Sequence, residues 1–151
     1  MVVVVVNNMK TLLWLDDYRN PYEDNRWLAK YAPEYAFTRD NVVVWVKSYD
    51  EFTKWITENG LPTKICFDHD LADEHYAPEE VWDNYNEWAA KQTFKEKTGY
   101  DCAHWLTEYC MDNNEQLPNF VSQSANPSGV ININGLLLSF LKHYKFEDKK
   151  D

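Results

Sequence analysis

Two short hydrophobic runs that each end in clustered acids constrain this chain more than any other feature: Leu12-Leu13-Trp14-Leu15-Asp16-Asp17 and Ile65-Cys66-Phe67-Asp68-His69-Asp70. Each run reads as a buried strand that carries carboxylates out at its carboxyl end, where open α/β sheets place their ligands. Four carboxylates gathered there repel one another unless a cation lies among them. Hard divalent ions such as Mg²⁺ prefer oxygen ligands, usually one or two carboxylates together with waters and substrate phosphates. The pattern therefore points to a metal-dependent phosphate site. Two solvated acidic turns with no ligand are the alternative that the same residues allow.

A chain of 151 residues suits one domain with a full core and is short for two. Its 44% hydrophobic and 16% aromatic content supplies enough apolar surface to fold unaided, which excludes a disordered segment. The formal net charge of -10 argues against nonspecific binding to DNA or RNA, which relies on Lys and Arg to neutralise phosphates. A small anionic ligand remains compatible, because a local metal or helix N-terminus outweighs global charge. Cys66, Cys102 and Cys110 are odd in number and lack paired C-x-x-C spacing, so buried reduced thiols are expected. No apolar stretch approaches the roughly 18 residues that span a bilayer. Val2 to Val6 lacks the basic start and cleavage site of a signal peptide, and a cytoplasmic protein is expected.

Thr11 to Leu15 is the expected first strand, and residues 1–10 form an N-terminal extension whose Val2 to Val6 is either an added strand or an unpaired tail. Glu23 to Tyr31 places Trp27, Leu28 and Tyr31 at helical spacing. Val42 to Val46 is the second strand, and Ser48 caps a helix from Tyr49 to Glu58 that Asn59-Gly60 closes. After a third strand, Ile65 to Phe67, the segment 72–97 breaks the alternation. Within it, Pro78 to Gln92 carries Val81, Trp82, Tyr85, Trp88 and Ala89 at three- and four-residue intervals. That stripe predicts an amphipathic helix, either a lid beside the acids or a plain core helix. Thr98 and Asp101 form a capping box for a helix lined by Ala103, Trp105, Leu106, Tyr109 and Cys110. Asn119 to Ser122 is the fourth strand, Gly129 to Tyr144 the last helix, and 146–151 a mobile charged tail. Strands alternating with helices predict one domain over 1–151, a compact three-layer α/β sandwich around a mostly parallel sheet, with a helical insertion after strand 3.

The run Leu13-Trp14-Leu15-Asp16-Asp17-Tyr18-Arg19-Asn20-Pro21 resembles the opening signature of the receiver-like domains named for cyclic-phosphate processing. The likeness continues in Phe67-Asp68-His69-Asp70-Leu71, Thr98-Gly99-Tyr100-Asp101 and Ser124-Ala125-Asn126-Pro127-Ser128-Gly129. Four blocks in order are far more specific than any one of them. The likeness is weakest over Leu71 to Lys97 and absent from the first ten residues. It implies a receiver-like (flavodoxin-like) fold. Ordinary receivers hold Mg²⁺ with an acidic pair after the first strand and accept a phosphoryl group on an Asp after the third; Asp16, Asp17 and Asp68 match those positions by order. His69 and Asp70 beside Asp68, and the lack of a Lys-Pro pair after a fifth strand, separate this chain from a signalling receiver. The resemblance implies processing of nucleotide-derived cyclic phosphates or ADP-ribose products, in a family found in phage and bacterial conflict systems. The family often has His-Ser where this chain has Gln123-Ser124, and Gln cannot transfer a proton at neutral pH.

In the enzyme reading, Asp16, Asp17 and Asp68, with Asp70 as a further candidate, hold one or two divalent ions, Mg²⁺ or Mn²⁺, that polarise a phosphoryl oxygen and lower the pKa of a water. Asp68, Asp70 and His69 are the expected catalytic groups. His69 protonates the leaving oxygen, ligates a softer metal, or merely orients Asp68. Arg19 clamps a phosphate, or pairs with an acid and shapes its loop. Ser124 and Asn126, ahead of the Gly129 helix, cradle an anion or form a turn and cap. His75, His104 and His143 are expected outside the site. Three functions stay open: a metal-dependent phosphoesterase on a small phosphorylated nucleotide, a protein that sequesters such a nucleotide, and a phosphoryl-accepting receiver, which the missing Lys disfavours. No nucleic-acid polymer or membrane is expected as a partner, and no motif speaks to oligomeric state.

Overall fold

The computed structural model describes residues 10–23, 26–36 and 41–145. Strands β1 (Thr11–Leu15), β2 (Val42–Val46), β3 (Lys64–Phe67) and β4 (Asn119–Ser122) form one parallel sheet in the order β2-β1-β3-β4. Helices α1 (Arg26–Tyr31), α2 (Tyr49–Asn59), α3 (Tyr85–Ala90), α4 (Gly99–Asn113) and α5 (Pro127–His143) occupy the connections and the C-terminal end. Leu12, Leu13, Trp14 and Leu15 of β1 are wholly buried, because both faces of this inner strand are covered. Leu13 and Leu15 pack with Phe52 and Ile56 of α2, Leu106 of α4, and Ile133 and Leu137 of α5. Leu12 and Trp14 point the other way, against Leu28 and Tyr35. The result is the three-layer α/β sandwich expected from the alternation, with a flavodoxin-like strand order.

Register decides where the acids go. Leu15 pairs with Val46 and Phe67, and Phe67 with Ser122, so the carboxyl ends are level. Backbone hydrogen bonds then continue one residue further: Asp16 N–H donates to Val46 O (3.0 Å), Asp68 N–H to Leu15 O (2.9 Å) and Gln123 N–H to Phe67 O (2.8 Å). Three polar residues are thereby set side by side along one sheet edge.

Helix ends follow local chemistry. Ser48 Oγ accepts the Glu51 N–H at 3.1 Å, and Gly60, at φ +84°, closes α2 with its N–H on Ile56 O. The Thr98/Asp101 capping box is present, with Thr98 N–H on Asp101 Oδ2 at 2.8 Å. By contrast, Pro78 to Gln92 does not form the single helix its stripe predicts. A 3₁₀ segment covers Glu79–Asn84 and α3 is only six residues long. Glu79, Glu80, Asp83 and Glu87 stand three or four positions apart with no base between them, a spacing that weakens an α-helix, and neither piece has a side-chain N-cap. Likewise α1 starts at Arg26 rather than Glu23; residues 24–25, Val2 to Val6 and the tail 146–151 lie outside the described residues.

His75, which the sequence offers only as a histidine in an acidic loop, is wholly buried. Its Nδ1 accepts the Leu71 N–H (2.9 Å), so Nε2 carries the hydrogen and donates to Glu96 O (2.7 Å), while Phe94 packs edge-on at 4.8 Å. One ring thus ties together the two ends of segment 72–97. His75→Ala strands a buried N–H and C=O, and is expected to cost about 2–4 kcal/mol and to accelerate amide exchange across 72–97 ahead of the sheet. An unchanged melting temperature would mean the staple carries no load.

The three thiols are free and buried. Burial pushes Cys66 and Cys110 up to about 12 and Cys102 well above its usual value, so none is an available thiolate. Among the described residues no helix is long and apolar enough to cross a membrane.

Candidate functional site

The level strand ends bring the two acidic clusters together. One carboxylate oxygen each from Asp16, Asp17 and Asp68 lies within 4.8 Å of the others. Asp16 has two tasks. Its Oδ1 accepts the N–H groups of Tyr18 (2.9 Å) and Arg19 (2.8 Å), shaping the loop after β1, while Oδ2 accepts Gln123 Nε2 at 3.2 Å and lies 3.9 Å from Arg19 Nη1. Arg19 also donates to the Gln123 carbonyl and stacks its guanidinium 4.9 Å over Trp27. Of the two roles posed for Arg19, the structure shows the loop-shaping one, in a side chain that is braced and still borders the site. A cavity of about 100 Å³ is lined by Asp16, Arg19, Asp68, Asp70, Tyr76 and Ser124, among others.

The electrostatics are strained. Burial, then the charges of Asp16 and Asp70, raise Asp68 to about 8, with Arg19 offsetting only part. Asp16 is raised by burial against the pull of its amide bonds, and Asp17 by burial and by Asp16. The Tyr76 hydroxyl, 3.5 Å from Asp17 Oδ1, is raised as well by burial and by four facing carboxylates. A hard divalent cation fits this donor set: all the ligand atoms are carboxylate oxygens, and their mutual repulsion is what a cation relieves.

His69 and Asn126 are placed differently from the rest. His69 donates from Nδ1 to Asp70 Oδ1 (2.7 Å), so its partner is Asp70 and not Asp68. Its ring packs edge-on against Tyr85 at 5.5 Å and borders a cavity of about 610 Å³ between α3, α4 and α5, away from the acidic one. Asn126 N-caps α5 through Oδ1 on Gly129 N–H (3.0 Å) and braces Asp70 through Nδ2 (3.3 Å). Ser124 Oγ accepts the Asn126 N–H at 3.0 Å, leaving its own hydrogen for another acceptor. Sequence reasoning did not single out Tyr76, which no periodicity marks, or the contacts of two glycines. A Cβ on Gly99 would lie 1.8 Å from Asp68 O, and one on Gly129 would lie 2.5 Å from His69 Cγ. The four sequence blocks thus converge on the backbone and side chains of Asp68 to Asp70.

A family model described as the cyclic-phosphate processing Receiver domain matches residues 11–139. The chain belongs to that family. No curated protein and no solved structure matches it. The match begins at β1 and ends inside α5, so it contains all four strands and every residue of the acidic cluster. In this Receiver domain Gln123 is 1% exposed and donates its amide to both Leu15 O and Asp16 Oδ2. Gln123 therefore braces Asp16, which lines the acidic cavity, without lining it itself.

Proposed function

We propose that the protein is a metal-dependent phosphoesterase acting on a small cyclic-phosphate or ADP-ribose-derived nucleotide. The observation that carries this reading is the convergence of Asp16, Asp17 and Asp68 beside Arg19 and Ser124 at one sheet edge. Asp16, Asp17 and Asp68 are the residues that would hold the ion, Mg²⁺ or Mn²⁺, which supplies charge neutralisation and polarisation of a phosphoryl oxygen. Arg19 and the Ser124 hydroxyl orient the phosphate. Asp70 borders the cavity and its carboxylate accepts the proton that the attacking water loses, held in place by His69 Nδ1 and Asn126 Nδ2. His69 acts through Asp70 as a positioning residue.

One observation favours a second reading, a protein that sequesters the nucleotide without converting it. Gln123 offers no titratable group where the resembling proteins often have His. Incubating the purified protein and Mg²⁺ or Mn²⁺ with cyclic nucleotides and ADP-ribose phosphates, and separating the products by chromatography, reads turnover and retention together. Turnover is expected. His69→Ala is expected to lower kcat by roughly 10²-fold, the scale of acid–base catalysis, and to move its pH profile while leaving KM nearly unchanged. Retention without conversion under either metal favours the sequestering protein, and a fully active His69→Ala reduces His69 to packing.

A further inference from the structure

Beside the acidic cavity lies another of about 140 Å³, which shares Asp70, Tyr76 and Ala125 with it. Its remaining walls include Trp82, Tyr85 and Pro127. At less than the roughly 300 Å³ where pockets for drug-sized ligands begin, it has room for one ring system and not for a whole nucleotide. Two features of its lining suit an aromatic ligand. Trp82 is fixed by its indole N–H on Ala77 O (2.9 Å), yet 58% of it is exposed, leaving aromatic surface uncovered at the cavity. Tyr85 is only 4% exposed, and its hydroxyl, which the Asn126 side chain approaches, completes no hydrogen bond of normal geometry. Buried hydroxyls are normally paired, and this one sits on a residue that walls an open cavity.

We propose that this cavity is the subsite for a heteroaromatic base, so that base and phosphate of one nucleotide occupy the two cavities on either side of Tyr76. The phosphate half rests on the function proposed above; the base half stands on its own geometry. Tyr76, Trp82 and Pro127 offer flat apolar surfaces to the ring faces, the sequence-tolerant way proteins hold bases. The Tyr85 hydroxyl, able to donate or accept, reads a ring nitrogen or exocyclic group at the edge. Tyr76 links the halves, since it lines both cavities and its hydroxyl lies 3.5 Å from Asp17 Oδ1. Because the base subsite contains one carboxylate and the phosphate cavity several, an uncharged nucleoside has no need of a cation, whereas a phosphate does.

The test uses the whole protein with adenosine, guanosine, cytidine and uridine under chelator, and separately ribose 5-phosphate with and without Mg²⁺, each followed by saturation-transfer NMR. At least one nucleoside is expected to bind without metal, its ring protons saturating more than its ribose. Ribose 5-phosphate is expected to bind only with Mg²⁺. Trp82→Ala should weaken the nucleoside about fivefold or more, and Tyr85→Phe roughly threefold to tenfold while leaving the melting temperature unchanged or higher. Neither variant should alter the Mg²⁺-dependent binding of ribose 5-phosphate. Failure of all four nucleosides to bind, or binding indifferent to both variants, overturns the base subsite. Nucleoside binding that follows the prediction, with ribose 5-phosphate never bound, leaves the subsite standing and removes the phosphate reading.

Discussion

Gly99→Ala is expected to lower the melting temperature by roughly 6–12 °C, the equivalent of about 3 kcal/mol in a domain of this size. The added Cβ would lie 1.8 Å from Asp68 O and 2.9 Å from His69 Cα. Both are backbone atoms, so no rotamer change relieves the overlap, and α4 or the strand end must move. Either movement breaks the Gly99 N–H bond to His69 O, now 2.7 Å, and displaces Asp68 from Asp16 and Asp17. Gly135→Ala is the internal control. Nothing lies within 4 Å of a Cβ there, and Ala in place of Gly inside α5 should stabilise by about 0.5–1 kcal/mol. Calorimetric scans of the two variants therefore shift in opposite directions; a Gly99→Ala protein that melts with the wild type would mean the close approach is not a packing constraint.

That contact illustrates what the sequence hides. The apolar runs at Leu12 to Leu15 and Ile65 to Phe67 are legible as buried strands because each is short, unbroken and followed by acids. Capping signals at Ser48, Gly60 and Thr98 act within a few residues, so they too can be read locally. Whether Asp16 and Asp68 become neighbours depends on strand order, a nonlocal property that no spacing encodes; here the parallel β1–β3 pairing decides it. The direction of His69 is hidden for the same reason. It is fixed by Asp70, Tyr85 and the space left by Gly129, contributed by three separate elements. The stripe from Val81 to Ala89 misleads in the other direction. Its period suggests one helix, but the intervening acids repel, and the result is a 3₁₀ segment that leaves Trp82 exposed beside a cavity.

Metal binding should become tighter by about tenfold per pH unit as the pH rises from 6 to 8. Asp68 is held at about 8 by burial and neighbouring carboxylates, against about 3.9 in an unfolded chain, so below pH 8 an incoming ion must displace its proton. The sign for the metal-free protein is the reverse. Between about pH 4 and 8 the folded state keeps a proton that the unfolded chain has lost, so this group's stabilisation is fully present below pH 4 and is lost as the pH rises to 8. Raised Asp16 and Asp17 add to the same trend. Titrations of Mn²⁺ in two buffers of different ionisation enthalpy count the protons released, and thermal scans at pH 6, 7 and 8 read the stabilisation, since an ion that binds only the folded state raises the melting temperature by mass action. Asp17→Asn combined with Asp68→Asn should erase the metal response. Asp68→Asn alone should make the metal-free protein more stable than wild type at pH 8, because it removes a buried charge that Arg19 only partly offsets. A metal-induced rise of the same size at pH 6 and pH 8, or one that survives the double substitution, would place the ion elsewhere than on these carboxylates.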